Sequence, residues 1–209
     1  MLTVPLGALL PHLMKRRYAI AERNIQRCFP EKTDPQRQEI LKDCFRSLAR
    51  TVFEMAWAWS ASDRFILRMS KVNGLDHLLD AYKVGKGVLM VSAHMTCLDM
   101  GARITGCHFS EMKGVYRPIK SPVLEWYQTR ARSAYSQGMI RKRDTRGAIR
   151  YLRAGGVLWY APDQDFGPKQ SIFAPYFNIR TATLLAPRRL PERPGCTVIM
   201  RVPSVDPVT

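Results

Sequence analysis

At 209 residues, 46% of them hydrophobic and 24% charged, the chain has the size and composition of one domain, or of one domain with a helical extension, and not of a disordered tail or a disulfide miniprotein. Its 33 Lys and Arg against 17 Asp and Glu leave a formal charge of +16, which points to a polyanion or an anionic surface as partner. The five cysteines, Cys28, Cys44, Cys97, Cys107 and Cys196, contain no CxxC pair, which excludes a zinc ribbon and a thioredoxin-like motif and fits a reducing compartment.

The opening segment, MLTVPLGALLPHLMKRRY, is apolar, carries Pro5 and Pro11, and has no basic region ahead of it, so it does not read as a signal peptide. No stretch reaches the roughly 20 apolar residues needed to cross a bilayer. From Met14 to Phe29, Tyr18, Ala21, Ile25 and Phe29 recur at helical spacing while Lys15, Arg16, Arg17, Arg23 and Arg27 take the remaining surface, which predicts a basic amphipathic helix. Asp34 followed by Pro35 predicts the cap and first turn of a second helix. Its stripe of Leu41, Cys44, Phe45, Leu48, Val52, Met55, Ala56 and Trp59 belongs to a core.

Beyond Met69 the elements shorten and glycines bound them. A helix is predicted near Asp76 to Tyr82, then a turn at Gly85–Lys86–Gly87 and a buried strand in VLMVSA. Helix 98–105, strand MKGVYR at 112–117 and helix 122–135 follow. Asp144 then caps TRGAIRYLRA, Gly155 and Gly156 close that helix, and VLWYA forms a third buried strand ending at Pro162. Strands alternating with helices of this length predict an α/β sheet whose functional residues sit at the carboxyl ends of its strands.

Three such ends carry chemistry. In VSAHMTCLDM the strand stops at Ala93 and leaves His94 at its end, with Asp99 in the first turns of the next helix. There an imidazole could take a proton from a substrate hydroxyl while a carboxylate holds its tautomer. Structural caps at both positions would use the same spacing. Cys97 as a thiolate nucleophile and a metal site of His94, Cys97, Asp99 and His108 are rival readings of the stretch, although the spacing matches no tight metal motif. Ser92 faces away from His94 in an extended strand. In GVYRPIKSP, Tyr116 and Arg117 end the second strand, and Arg117 offers a bidentate fork to phosphate or carboxylate. Arg130, Arg132, Arg141, Lys142, Arg143, Arg146, Arg150 and Arg153 follow, dense enough for some to line an anion site, most of them as solvated helix faces. In LWYAPDQDFGPK, Asp163, Gln164 and Asp165 stand on a loop beside Phe166 and Lys169, placed to orient a polar substrate, to bind Mg²⁺ or to pair with basic neighbours.

These blocks, VLMVSAHMTCLDMGAR with its His-x4-acid spacing, GVYRP followed by EWYQTR, LRAGGVLWYAPDQDFGPKQSIFAPYF and the early MKRRYAIAERNIQRCFPE, resemble the bacterial lipid A biosynthesis acyltransferases of the glycerolipid acyltransferase superfamily over roughly residues 6 to 186. The resemblance implies a mixed α/β sheet flanked by helices, with residues 1–68 as a basic, membrane-facing helical segment continuous with a core over 69–209. It implies transfer of a fatty acyl group from acyl carrier protein to a hydroxyl of an anionic, Kdo-bearing lipid A precursor at the cytoplasmic face of the inner membrane. His94 is then the general base oriented by Asp99; Tyr116, Arg117, Asp163, Gln164, Asp165 and Lys169 contact or shape the substrate; no metal or organic cofactor is implied. The blocks explain more than charge does, which disfavours a nucleic-acid binder, for which no recognised module is present; a hydrolase using His94 and Asp99 is a third possibility. The chain departs from the family after TATLLA, where PRRLPERPGCTVIMRVPSVDP follows as though about twenty residues carrying a helix and a strand were deleted. An incomplete C-terminal part with an exposed sheet edge is the expectation, and the alternative to an active enzyme is an inactive truncated homologue or a basic protein that binds anionic lipid or nucleic acid without catalysis.

Overall fold

A computed structural model describes residues 3–164, 167, 171–192 and 195–205 of the chain. Three helices open it: α1 (Thr3–Leu13), α2 (Lys15–Cys28) and α3 (Asp34–Ser60). The basic amphipathic helix predicted from Met14 is α2, and it buries Ile25 against Leu41 and Phe45 of α3, with Tyr18, Ala21 and Phe29 beside them. The start of α3 differs from expectation by one residue. Thr33 is the cap, extended in backbone, and its N–H donates to Gln36 Oε1 at 2.9 Å. Asp34 is the first helical residue, where its carboxylate accepts from Arg37 at 2.6 Å.

A short helix, α4 (Asp63–Arg68), links to the α/β part through α5 (Leu75–Lys83), β1 (Val88–Val91), α6 (Leu98–His108), β2 (Met112–Tyr116), α7 (Pro122–Ser133), β3 (Met139–Arg141), α8 (Thr145–Arg153) and β4 (Val157–Tyr160). Every helix and strand expected between Asp76 and Pro162 is present. β3 is additional; at three residues it is too short to give an alternating pattern. Gly87 enters β1 with φ +79°, and a Cβ there would collide with the Leu152 carbonyl, so the tight approach of the α8 end to β1 requires glycine.

With β7 (Thr197–Met200), five strands form one parallel sheet in the order β3-β2-β4-β1-β7. The mixed character of the fold comes from a separate antiparallel hairpin, β5 (Ser171–Tyr176) and β6 (Ile179–Leu184). It turns through Phe177 and Asn178, both left-handed (φ +50° and +58°), as a two-residue hairpin demands. One face of the sheet buries Val88, Met90, Met112, Val157 and Trp159 with Leu78 of α5 and Phe109 after α6. The other buries Leu89, Ile140 and Leu158 with Ala148 and Leu152 of α8.

After TATLLA the arginine-rich block Ala186–Glu192 forms α9, whose Leu190 packs on the second face, and Thr197–Met200 forms β7 alongside β1. The edge is nonetheless sparsely covered, with Val198 and Met200 exposed.

The helical segment is fastened to the core by a buried cation. Arg103 of α6 donates to the Ala61 carbonyl at 3.2 Å and to the Asp63 carboxylate, and lies over the Tyr135 ring at 5.4 Å. Its replacement by Ala breaks these contacts, leaves the exposed Asp63 carboxylate to water and empties a packed position. A loss of about 1–3 kcal/mol is expected, to be read as a lower urea midpoint.

Candidate functional site

β1 and β4 are in parallel register, Val91 opposite Tyr160, and the Ser92 N–H extends the ladder to the Tyr160 carbonyl at 2.9 Å. Both chains therefore leave the sheet at the same height. Three residues on, each delivers a functional side chain: His94 after β1, Asp163 after β4. The Asp163 carboxylate accepts from the His94 backbone N–H at 2.8 Å through Oδ2 and meets His94 Nδ1 at 2.6 Å through Oδ1. Both side chains are partly open to solvent, at 43% and 39%. An ionised carboxylate can only accept, so this contact places a proton on Nδ1, and in the neutral ring the lone pair is then on Nε2.

The carboxylate holding the imidazole is thus that of Asp163, where the His-x4-acid spacing points to Asp99. Asp99 lies in the first turn of α6 and is turned toward α7. Arg132 donates Nε to Oδ1 at 2.9 Å and Nη2 to Oδ2 at 3.0 Å, a bidentate fork, and Trp59 Nε1 adds a longer contact of 3.4 Å to Oδ1. Both partners of this ion pair are four-fifths buried. The physical reason is direction. The loop 92–97 carries the chain from strand to helix with His94 at the sheet edge, and the first turn of α6 then presents its carboxylate sideways to the neighbouring helix.

His94, Asp99 and Arg132 border a cavity of about 610 Å³ between the first sheet face and helices α3, α6 and α7. Tyr116, Arg117 and Gln164 line its mouth, so three expected strand ends do converge. Tyr116 is anchored: its hydroxyl donates to Glu125 Oε1 at 2.9 Å, while the Ile119 N–H occupies Oε2 at 2.8 Å. Burial, with the adjoining Glu125, raises the phenol above its usual range and keeps it a donor. Arg117 and Gln164 are exposed. Asp165, Phe166 and Lys169 lie outside the described residues. Farther in, the Tyr135 ring forms part of the wall; its buried hydroxyl has no hydrogen-bond partner among the described residues, and burial pushes its pKa upward.

The rival readings of the same stretch fare differently. Cys97 is 7% exposed, its Sγ 3.6 Å from the Pro203 carbonyl, and burial followed by the nearby Glu54 raises its thiol. That is the reverse of what a thiolate nucleophile needs. Ser92 is buried and its hydroxyl unpartnered, not bonded to His94. Among the described residues His94, Cys97, Asp99 and His108 form no group of three able to hold a metal ion. Arg132, Trp59 and Glu125 are functional neighbours that the sequence does not single out. Arg132 is one of many arginines, and the only signal available was its place four residues from Gln128 on the face of α7 that meets the cavity.

Over residues 2–207 the chain matches the family of bacterial lipid A biosynthesis acyltransferases. It is 36% identical to a lipid A biosynthesis lauroyltransferase of Escherichia coli (strain K12), in an alignment covering 97% of this chain and 71% of that protein. That alignment runs over 219 positions, more than the 209 residues here, so the relative carries residues inside the matched span that this chain lacks. A lipid A biosynthesis acyltransferase of Haemophilus influenzae is 41% identical over 83% of this chain and 55% of its own length. A lipid A biosynthesis palmitoleoyltransferase of Escherichia coli (strain K12) is 36% identical over 83% and 56%. The chain thus spans little more than half of these last two.

The state of Cys97 is open to direct measurement. Alkylation of the native protein by iodoacetamide at neutral pH, followed by mass spectrometry, should label exposed Cys44 well before Cys97, with the difference vanishing in urea. Labelling of Cys97 at the faster rate would restore it as a nucleophile.

Proposed function

The chain belongs to the bacterial lipid A biosynthesis acyltransferase family, and we propose that it transfers a fatty acyl group from acyl carrier protein to a hydroxyl of an anionic, Kdo-bearing lipid A precursor. The observation that carries this reading is the His94–Asp163 pair at the mouth of the cavity. With Nδ1–H bound to the carboxylate, Nε2 accepts the proton of the acceptor hydroxyl as its oxygen attacks the thioester carbonyl. The tetrahedral adduct then collapses, the C–S bond breaks, and the carrier thiol departs with the proton returned from His94. Asp163 fixes the tautomer and stabilises the imidazolium between these two transfers. The thioester supplies the activated carbonyl, so the scheme needs no protein nucleophile.

Other residues then take simpler roles. Asp99 and Arg132 neutralise one another and hold α6 to α7, which keeps the cavity wall in place. Arg117 and Lys142 bring positive charge to the mouth, where a phosphate or sugar acid of the acceptor would sit.

Such an acceptor resides in a membrane, and no helix among the described residues is long and apolar enough to span one. In this reading the protein rests on the cytoplasmic face of the inner membrane through α7. Val123, Trp126 and Tyr127 lie along one side of that helix with Leu124 adjacent, and all four are exposed, Val123 by 74% and Trp126 by 61%. Arg130 stacks over Trp126 at 5.6 Å. The one acid of α7, Glu125, is turned inward onto Tyr116. Aromatic and aliphatic groups rimmed by cations suit an anionic bilayer surface.

Two outcomes test the reading. His94→Ala should abolish transfer while leaving the circular dichroism spectrum unchanged, and Asp163→Asn should lower kcat by about 10²–10⁴; undiminished transfer in either overturns the mechanism. Vesicles containing anionic lipid should sediment the protein, weakly so at high salt, and Val123→Glu with Trp126→Glu should weaken partitioning at least about tenfold, since each buried apolar side chain is worth roughly 1.5–3 kcal/mol. Equal partitioning by the double variant overturns the placement of α7.

A further inference from the structure

The cavity beside His94 runs along the sheet. Met112, Gly114 and Tyr116 alternate onto one face of β2, and all three line it. It therefore extends from the carboxyl edge back to the first residue of the strand, roughly 13 Å at about 3.3 Å per residue. His94, Arg117 and Lys142 stand at one end, and the mutually neutralised Asp99–Arg132 pair lines the helical wall. The other end is made of Met112, Met139 and Trp159, roofed by Leu98 and Ala102 of α6.

Gly114 decides the shape of this space. It pairs with Met139 on β3 and with Trp159 on β4, and the row continues through Met90 on β1 to Ile199 on β7. Four members of the row carry large side chains; the fifth carries none. The result is a depression along β2 between a thioether and an indole, with the Met139 side chain lying across it at Gly114. The two walls differ in stiffness. Trp159 is packed into the core at 6% exposure. Met139 leans over the glycine, so that a Cβ at 114 would lie 2.9 Å from its Cε and 3.1 Å from its Sδ. An unbranched thioether can swing aside for a ligand and return.

A trough that is polar at a mouth beside the base, apolar at depth, and about as wide as one missing side chain fits a saturated hydrocarbon chain entering tail first. We propose that this trough holds the chain of the acyl group being transferred and that Gly114 and Met139 set how many carbons it accepts. The proposal rests on the acyl-transfer reading above. Gly114 opens the passage from the mouth toward Met112, and the Met139 side chain is the movable stop beside it. With the carbonyl carbon held near His94 Nε2, each added methylene advances the tail toward that constriction, and a chain too long for it withdraws the carbonyl from the base.

The test uses the full chain, Gly114→Leu and Met139→Ala, with acyl carrier protein thioesters of increasing chain length. Gly114→Leu should shift the preferred donor to shorter chains and Met139→Ala to longer ones, with kcat/KM for a misfitted donor falling about tenfold or more relative to the fitted one. Loss spread evenly over all lengths, or an unchanged optimum, overturns the proposal. So does a preference that follows the length of the acceptor's own chains with the donor held constant. Should the wild-type chain transfer nothing from any donor, the acyl-transfer reading fails and the trough is judged by binding. Saturated fatty acids of graded length should then perturb tryptophan fluorescence with an optimum that Gly114→Leu shortens, and an optimum common to both proteins overturns the trough as well.

Discussion

The parallel pairing of β1 with β4 is the constraint on which the candidate site depends. Two strands that run the same way, in register from Val88 with Val157 to Val91 with Tyr160, must end together at one edge. Residues 69 apart in the chain, His94 and Asp163, are then brought to hydrogen-bond distance by the sheet itself. An antiparallel neighbour would have sent one of the two exits to the far edge. The short loops add the last few ångströms, and the double grip of Asp163, on the ring and on the backbone N–H of the same residue, fixes the loop and the imidazole as one unit. Gly87 supports this from the opposite edge by letting the end of α8 lie against the start of β1.

The legible part of the fold was the part with dense, short-range signals. VLMV and VLWY are apolar runs with glycine before them and polar residues after, a pattern that buried parallel strands impose. Asp144 caps α8 by accepting from the Gly147 N–H at 2.8 Å, a local contact readable from local residues. β3 has only three residues, and β5 and β6 mix exposed aromatics with polar groups because the hairpin lies outside the main sheet. α9 contains Pro191 and two arginines, and its place is set by Leu190 meeting the sheet rather than by any periodicity. Such elements take their form from tertiary contacts.

The site shows the same division more sharply. Which strand ends carry the candidate residues could be read, since the strands were found and their ends follow. Which acid meets the histidine could not. Spacing along a chain measures proximity only within an element, and between His94 and Asp99 the chain changes from strand to helix. Asp99 is nearer in sequence and Asp163 nearer in space. The Asp99 carboxylate instead takes the Arg132 fork, whose burial on both sides demands compensation of charge. One arginine among 33 basic residues carries no mark of that role.

The region around the cavity also holds features that stability alone does not favour. Three buried side-chain atoms lack partners among the described residues, on Arg37, Ser92 and Tyr135. One of the three, Tyr135, lines the cavity, and Ser92 stands two positions before His94 in the chain. An unpartnered buried hydroxyl costs about 1–3 kcal/mol, which a valine or a phenylalanine would avoid. Over the same region, α7 leaves Val123, Leu124 and Trp126 uncovered, forgoing apolar burial. The helix that leaves this apolar surface outside also forms the cavity wall on its other side, through Gln128 and Arg132.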